Sequence, residues 1–359
     1  MMARHLHADS LMSIIAKRSA TVLTYFLTII CLATSSWVYA RETLRVLTWD
    51  GYADNEVVSA FEQRFDVAIE LTLVTSDDDL WQKINSRSYD VFAVNTAELQ
   101  RYIDQGLSRP IRMANIPNHA QQLQRFQDLQ AIPGLVRQND IYAVPYTYSE
   151  MGLIYNRKLV KTAPQSMSAM WDAAYRGRVL AFNTSNHSFS LVGLLMGVAN
   201  PFRMTDPELE QATRELVRLR RNVLTFYATA EEATRLFAKY DIALIFGNYG
   251  TQQLKALREA GADIGYVIPR EGALAWLDCW AITRNSQNPE LAEKWINYTL
   301  EKAVSERLTQ QHGLANTITA SLNDSTQNKP IIWLEPILNP LARKTLWDRI
   351  ISGEAPEAF

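Results

Sequence analysis

Residues Gly272–Thr283 read GALAWLDCWAIT. The run is strand-like, and Asp278 is its one charge, set among Leu274, Trp276, Leu277, Cys279 and Trp280. A carboxylate with apolar neighbours on both sides carries a large desolvation cost unless it is hydrogen-bonded or ion-paired. One reading makes Asp278 a core acid satisfied by backbone N–H groups or a turn. The other makes it an acid awaiting a cationic ligand, with Trp276 as the wall, because aromatic faces attract ammonium groups. The stretch alone leaves both open.

Working outward, Gly265–Ile268 and Ala275–Ile282 are strands placed to cross between two lobes. Downstream, Pro289–Gln311 reads as one long amphipathic helix with Leu291, Trp295, Tyr298 and Leu308 on its apolar side. Upstream, Ile141–Tyr155 (IYAVPYTYSEMGLIY) is a long β-rich stretch whose Pro145 suits another crossing. Near the N-terminus, Leu44–Trp49 is a strand broken by Asp50-Gly51-Tyr52. Glu56–Arg64 follows as a helix and Val67–Leu73 as a strand. A helix from Ser76 to Ile84 takes Ser76 or Asp77 as its cap, and Asp77–Asp79 suit its N-terminal dipole. Tyr89–Val94 is a buried-type strand, followed by a helix over Ala97–Gln105. This alternation indicates βαβ units and a mainly parallel sheet. Ligands of such sheets gather at the carboxyl ends of strands, where Trp49, Asp50 and Asn95 stand.

The middle of the chain repeats the pattern. Val179–Phe182 is a strand leading to a polar turn, Asn183–His187, and then to an apolar helix over Phe189–Val198. Pro207–Leu219 and Glu231–Tyr240 are amphipathic helices, and Ile242–Phe246 is a strand closed by Gly247. The expected organisation is a leader over 1–40, a first lobe from 41–146 and 272–322, and a second lobe from 147–271 and 323–359.

The leader is read from Arg4, Lys17 and Arg18, the apolar run Ala20–Leu32, and Val38-Tyr39-Ala40 ahead of Arg41. Together these form a secretory signal peptide cleaved after Ala40, which implies a periplasmic protein. No later run is apolar for long enough to span a bilayer. Without the leader, 33 basic and 37 acidic side chains remain of the 36 and 38 in the 359-residue chain. That balance argues against nucleic acid or an anionic membrane as partner. Cys279 then has no cysteine to pair with, so stability must come from a large core. There is no GxSxG elbow, GxxxxGK[ST] loop, HExxH pair or CxxC. Neither an enzyme nor a metal or cofactor site is expected.

Four sets of residues stand in an order that resembles a known family. They are Trp49-x-x-Tyr52, Tyr89-Asp90, Val144-Pro145-Tyr146 with Tyr155-Asn156, and the PREGALAWLD segment over Pro269–Asp278. Their spacing is similar to that of the periplasmic polyamine-binding proteins, the spermidine/putrescine receptors of ABC importers. The resemblance implies an α/β, type II-like periplasmic binding protein: two lobes of mainly parallel sheet flanked by helices, joined by crossing hinge strands, closing on ligand in the cleft. It implies that Trp49 and Tyr52 line that cleft, that Asn95 is a polar contact, and that Trp276 and Asp278 hold an amine. Phe246 falls where the family commonly has a Trp, and Tyr148 and Tyr227 are further candidate walls.

There are departures from the family pattern. Thr184 and His187 stand where spermidine receptors carry acids, so an anionic contact is missing there. Asp50 replaces a usual Ser or Thr; it restores a negative charge to the cleft, or simply forms the turn ahead of Gly51. His187 is a neutral partner, or below pH ~6.5 a charge that repels an amine. Glu150 is expected on an exposed face. The resemblance implies a monomeric receptor that delivers a polyamine to an ABC permease. An alternative output is a norspermidine-type sensor signalling to a membrane-bound c-di-GMP enzyme that controls biofilm. A ferric-ion receptor is not expected, because no adjacent tyrosine pair occurs.

Overall fold

The computed structural model describes residues 41–320 and 330–354; the expected leader and its cleavage point lie outside them. The chain enters as β1 (Thr43–Trp49), α1 (Asn55–Phe65), β2 (Ala68–Val74), α2 (Asp77–Ser86), β3 (Val91–Asn95) and α3 (Thr96–Asp104). β1 pairs in parallel with both β2 and β3. Each helix starts where a short polar side chain satisfies its first N–H groups. Asp54 accepts from Glu56 and Val57, Ser76 from Asp79, and Asn95 from Glu98.

β4 (Ala143–Glu150) joins the same sheet, and β5 (Gly152–Asn156) opens a second one. The change of sheet falls at Met151, whose N–H bonds the Leu274 carbonyl at 2.8 Å. It lies beyond the boundary expected at 146/147. The second lobe contains β6 (Val179–Phe182), α4 (Ser185–Met196), α5 (Asp206–Arg220), β7 (Val223–Tyr227), α6 (Ala230–Lys239), β8 (Leu244–Gly247), α7 (Gly250–Glu259) and β9 (Ile264–Val267). Its strand order is β7-β6-β8-β5-β9. β6, β7 and β8 run parallel, whereas the crossing strand β5 is antiparallel to its neighbours.

The chain returns to the first sheet as β10 (Ala273–Thr283), the stretch quoted at the outset. β10 lies between β3 and β4, antiparallel to both. It is followed by α8 (Pro289–Thr299), α9 (Lys302–His312), β11 (Ala315–Asn316), β12 (Ile331–Trp333) and α10 (Pro340–Ser352). The segment expected as one helix over Pro289–Gln311 is therefore two. The Thr299 hydroxyl turns back to the Ile296 carbonyl and Ser305 Oγ bonds the Thr299 carbonyl, satisfying groups that the break would strand. The break lets Leu300 point into the core, where it is fully buried. The C-terminal segment expected in the second lobe is divided: β12 pairs with β10 in the first sheet, while α10 packs on α4 and α5. Arg343 of α10 is buried there, donating to Ser190 Oγ at 3.0 Å and the Pro201 carbonyl at 2.9 Å.

Side chains alternate across β10. Trp280 and Ile282 face one core with Tyr52, Tyr146 and Trp295, whereas Leu277, Cys279 and Ala281 face another with Phe92, Phe126 and Tyr148. Between Asp278 and Cys279 the register against β4 slips, because Asp278 opposes Thr147 and Cys279 opposes Pro145. Tyr146 is the extra residue. Pro145 has no N–H to continue the ladder, which places a bulge at this point.

Candidate functional site

The carboxyl ends of β1 and β3, the middle of β10, and the starts of α4 and α7 enclose a cavity of about 560 Å³ between the two sheets. Trp49, Asp50, Tyr52, Asp77, Asn95, Trp276 and Asp278 line it from the first lobe. Phe182, Asn183, Thr184, Asn186, His187, Asn248, Tyr249 and Gln252 line it from the second.

Asp278 is placed by its strand and held by one side chain. It lies opposite Asn95 in the β3–β10 ladder and is 7% exposed. The Tyr52 hydroxyl donates to its Oδ2 at 2.5 Å. Tyr52 is held in turn by Tyr146, the bulged residue, whose hydroxyl donates to the Tyr52 carbonyl at 2.9 Å with the rings edge to face. Burial pushes the Asp278 carboxyl up to about 7; the Tyr52 hydrogen bond opposes this and the charge of Asp77 adds to it. Charging Asp278 where it is buried thus costs on the order of 4 kcal/mol relative to water.

Asp77 is a second perturbed acid, and the sequence reading had given it only to the start of a helix. It does open α2, but Ser76 is the cap, and the Asp77 carboxylate lines the cavity. Burial, helped by Glu98 and Asp78, raises it to about 6. Asn95 Nδ2 donates to its Oδ1 at 3.0 Å. Asn95 therefore caps α3, holds Asp77 at the start of α2 and stands opposite Asp278 in the β3–β10 ladder. A cap Asp and a cleft Asp look alike in sequence when the helix starts at the cleft; the available signal was its place just beyond the carboxyl end of β2.

In the second lobe, His187 stacks on Phe182 and its Nδ1 pairs with Asn248 Oδ1 at 2.8 Å. Burial lowers its pKa below the ordinary 6.5, against the effect of that hydrogen bond. The ring is thus neutral at neutral pH. With Nδ1 donating to the amide oxygen, Nε2 is left as an acceptor. Asn248, which the sequence reading missed, also receives the Trp276 indole N–H on its carbonyl at 3.1 Å, linking the two lobes across the cleft.

Three expected walls stand elsewhere. Tyr148 shares the face of Leu277, opposite that of Asp278; it packs on Phe126 and Trp333 and accepts from Arg125 at 2.8 Å. Phe246 is buried in the second-lobe core. Tyr227 stands behind the cleft, where its hydroxyl bonds the Phe246 carbonyl at 2.5 Å and receives the Asn248 N–H at 3.2 Å. Glu150, expected to be exposed, is buried, with Arg125 3.2 Å from its Oε1. Its strand enters the junction of the two sheets, where both faces are covered.

Two α/β lobes joined by crossing strands, with a polar and aromatic cleft between them, define a solute-binding protein. The chain belongs to the bacterial extracellular solute-binding proteins, a family it matches over residues 56–332. It is 22% identical to the spermidine/putrescine-binding periplasmic protein 1 of Haemophilus influenzae over 275 residues, 75% of this chain and 74% of that protein. It is 22% identical to the putrescine/agmatine-binding protein of Pseudomonas aeruginosa over 358 residues, 89% of this chain and 95% of that one. Among solved structures it is similar to a spermidine/putrescine ABC transporter substrate-binding protein of Streptococcus pneumoniae. The TM-score is 0.74 at 18% identity, covering 88% of this chain and 100% of the other. Among the described residues no helix is long and apolar enough to cross a membrane.

Proposed function

We propose that this protein is a periplasmic receptor, freed from its leader after Ala40, that binds a small cationic amine of the polyamine type and delivers it to an ABC importer. The observation that carries this reading is the charge of the cleft. Three carboxylates, Asp50, Asp77 and Asp278, line it, and no Lys or Arg does so among the described residues. Such a cavity is costly to leave charged and empty, and a cation relieves that cost. The relatives named for spermidine, putrescine and agmatine support the same ligand class, and the neighbour named as an ABC transporter substrate-binding protein supports a transport output.

In this reading an ammonium group pairs with Asp278 and Asp77 by charge-assisted hydrogen bonds. Trp49, Tyr52 and Trp276 pack on the methylene chain and offer their faces to the charge. Binding favours closure, because the closed arrangement lets both lobes touch one ligand.

A thermal-shift screen of residues 41–359 tests the proposal. The ligands are putrescine, cadaverine, spermidine, norspermidine, spermine, agmatine and choline, with amino acids as controls. A ligand at 100 times its Kd adds about 2.7 kcal/mol of stability, which raises the midpoint visibly. No shift with any amine rejects the reading.

A further inference from the structure

The polar side chains on the second-lobe wall of the cleft are Asn183, Thr184, Asn186, His187, Asn248 and Gln252, with Tyr249 beside them. Among the described residues no carboxylate, Lys or Arg lines this side, and all three acids of the cleft stand across from it. A second ammonium therefore finds no counter-ion in this wall. The positive end of the α4 dipole falls here too, since that helix starts at Ser185. The wall is unsuited to select by charge, but it can select by hydrogen-bond polarity.

The Thr184 hydroxyl and the Asn186 and Gln252 amides each carry both a donor and an acceptor, so they adapt to whatever faces them. Asn183 is partly taken, because its Oδ1 receives the Trp347 indole N–H at 3.1 Å. His187 differs, because its tautomer is set from behind. Its Nδ1 stands 2.8 Å from Asn248 Oδ1, an atom that can only accept, so Nδ1 carries the proton and Nε2 the bare lone pair. Asn248 is itself fixed: its N–H donates to the Tyr227 hydroxyl at 3.2 Å, and its carbonyl receives the Trp276 indole N–H at 3.1 Å. The imidazole ring stacks on Phe182, which packs in turn on Tyr227 and Tyr249. Among the described residues Nε2 has no partner, and it is not sealed from the cavity that His187 lines.

We infer that His187 makes the cleft specific for an amine whose far end carries an N–H or O–H donor, and that it reads the donor rather than the charge. This rests on the amine-receptor reading above and narrows it. One ammonium lies against Asp278 and Asp77, and a hydrogen at the other end of the ligand points at His187 Nε2. A primary or secondary ammonium satisfies the ring, and so does a hydroxyl. A quaternary nitrogen or a methyl group does not.

Isothermal titration of residues 41–359 with ligands of matched chain length tests this. The ligands are putrescine, 4-amino-1-butanol, butylamine and (4-aminobutyl)trimethylammonium. The expected result is that 4-amino-1-butanol, uncharged at its far end, binds about tenfold more tightly than butylamine, a gap of about 1.4 kcal/mol. The quaternary ligand, charged there but without a donor, is expected to bind no better than butylamine. In the His187→Phe variant, checked for an unchanged melting midpoint, the gap between the alcohol and butylamine should close. A quaternary ligand that outbinds the alcohol, an alcohol with no gain over butylamine, or a folded variant that keeps the gap overturns the inference. Each of these leaves the amine receptor standing. Failure of all four ligands, and of the amine screen, removes both. A second measurement needs no variant. Nitrogen NMR of the histidine-labelled protein at neutral pH is expected to show His187 with Nδ1 protonated and Nε2 bare, and the Nε2 resonance should move when 4-amino-1-butanol is added. A proton on Nε2 in the free protein, or a resonance that stays in place on saturation with the alcohol, overturns the inference.

Discussion

Asp90 and Asp278 are both buried in the first lobe, one at each end of the β3–β10 pairing, and they are treated in opposite ways. Asp90 is 1% exposed and surrounded by donors. Its Oδ2 receives the Arg45 N–H at 2.9 Å, and its Oδ1 receives Ser286 Oγ at 2.7 Å with the N–H groups of Gln287 and Asn288 at 3.0 and 3.2 Å. Among the described residues the Asp278 carboxylate has the Tyr52 hydroxyl alone. The protein has thus satisfied one acid with its own backbone, and that acid locks the turn into α8. It has left the other short of partners beside a cavity. Burial does not separate a structural carboxylate from a binding one; the number of donors does.

That contrast can be broken by exchanging the consequences of losing each acid. Asp278→Asn is expected to weaken binding of the best amine by on the order of 2–5 kcal/mol, measured by titration calorimetry. The same variant should be at least as stable as the parent at pH 8. The folded-state pKa of Asp278 is raised, so its ionisation lowers stability as pH climbs from about 4 toward 7, and the Asn form escapes that loss. Asp90→Ala should do the opposite: a loss of about 3 kcal/mol in denaturant unfolding, as several buried donors are stranded, with affinity per folded molecule unchanged. A large affinity loss in the Asp90 variant, or a large stability loss in the Asp278 variant, would erase the distinction.

Smaller effects sharpen it. Because an amine prefers ionised Asp278, affinity should fall roughly tenfold from pH 8 to pH 6, as the carboxyl takes up its proton near 7. A flat profile over that range would mean that Asp278 is not the anchor. Tyr52→Phe removes the side chain that donates to Asp278, so the midpoint of that profile should move to higher pH. Affinity at pH 7 should then drop a few-fold, the smallest change in the set.

Much of this was legible in the sequence, for reasons that can be traced residue by residue. Asp278 and Trp276 stood out because a strand places i and i+2 on one face, and a lone charge in an apolar run asks for a partner. Trp49, Asp50 and Asn95 followed from the rule that ligands gather at the carboxyl ends of parallel strands, and Tyr52 from the family resemblance. Tyr148 was placed wrongly as a wall because its face depends on the register of β4 against β10, and the bulge at Pro145 shifts that register. Phe246 and Tyr227 sit near the correct strand ends, but their side chains serve the second-lobe core and the support of Asn248. Asp77 was missed because one residue serves as both a helix start and a cleft wall. Asn248 carries no local signal, since the His187, Tyr227 and Trp276 side chains that bond it come from distant parts of the chain.

The burial of the Asp278 carboxyl has a calorimetric consequence. Near neutral pH a fraction of the empty receptors hold a proton on that carboxyl, and an arriving cation expels it into the medium. The heat recorded on titration then includes the buffer taking up that proton. The apparent enthalpy should differ between phosphate and Tris at the same pH, and the two values should converge as the pH is raised well above 7.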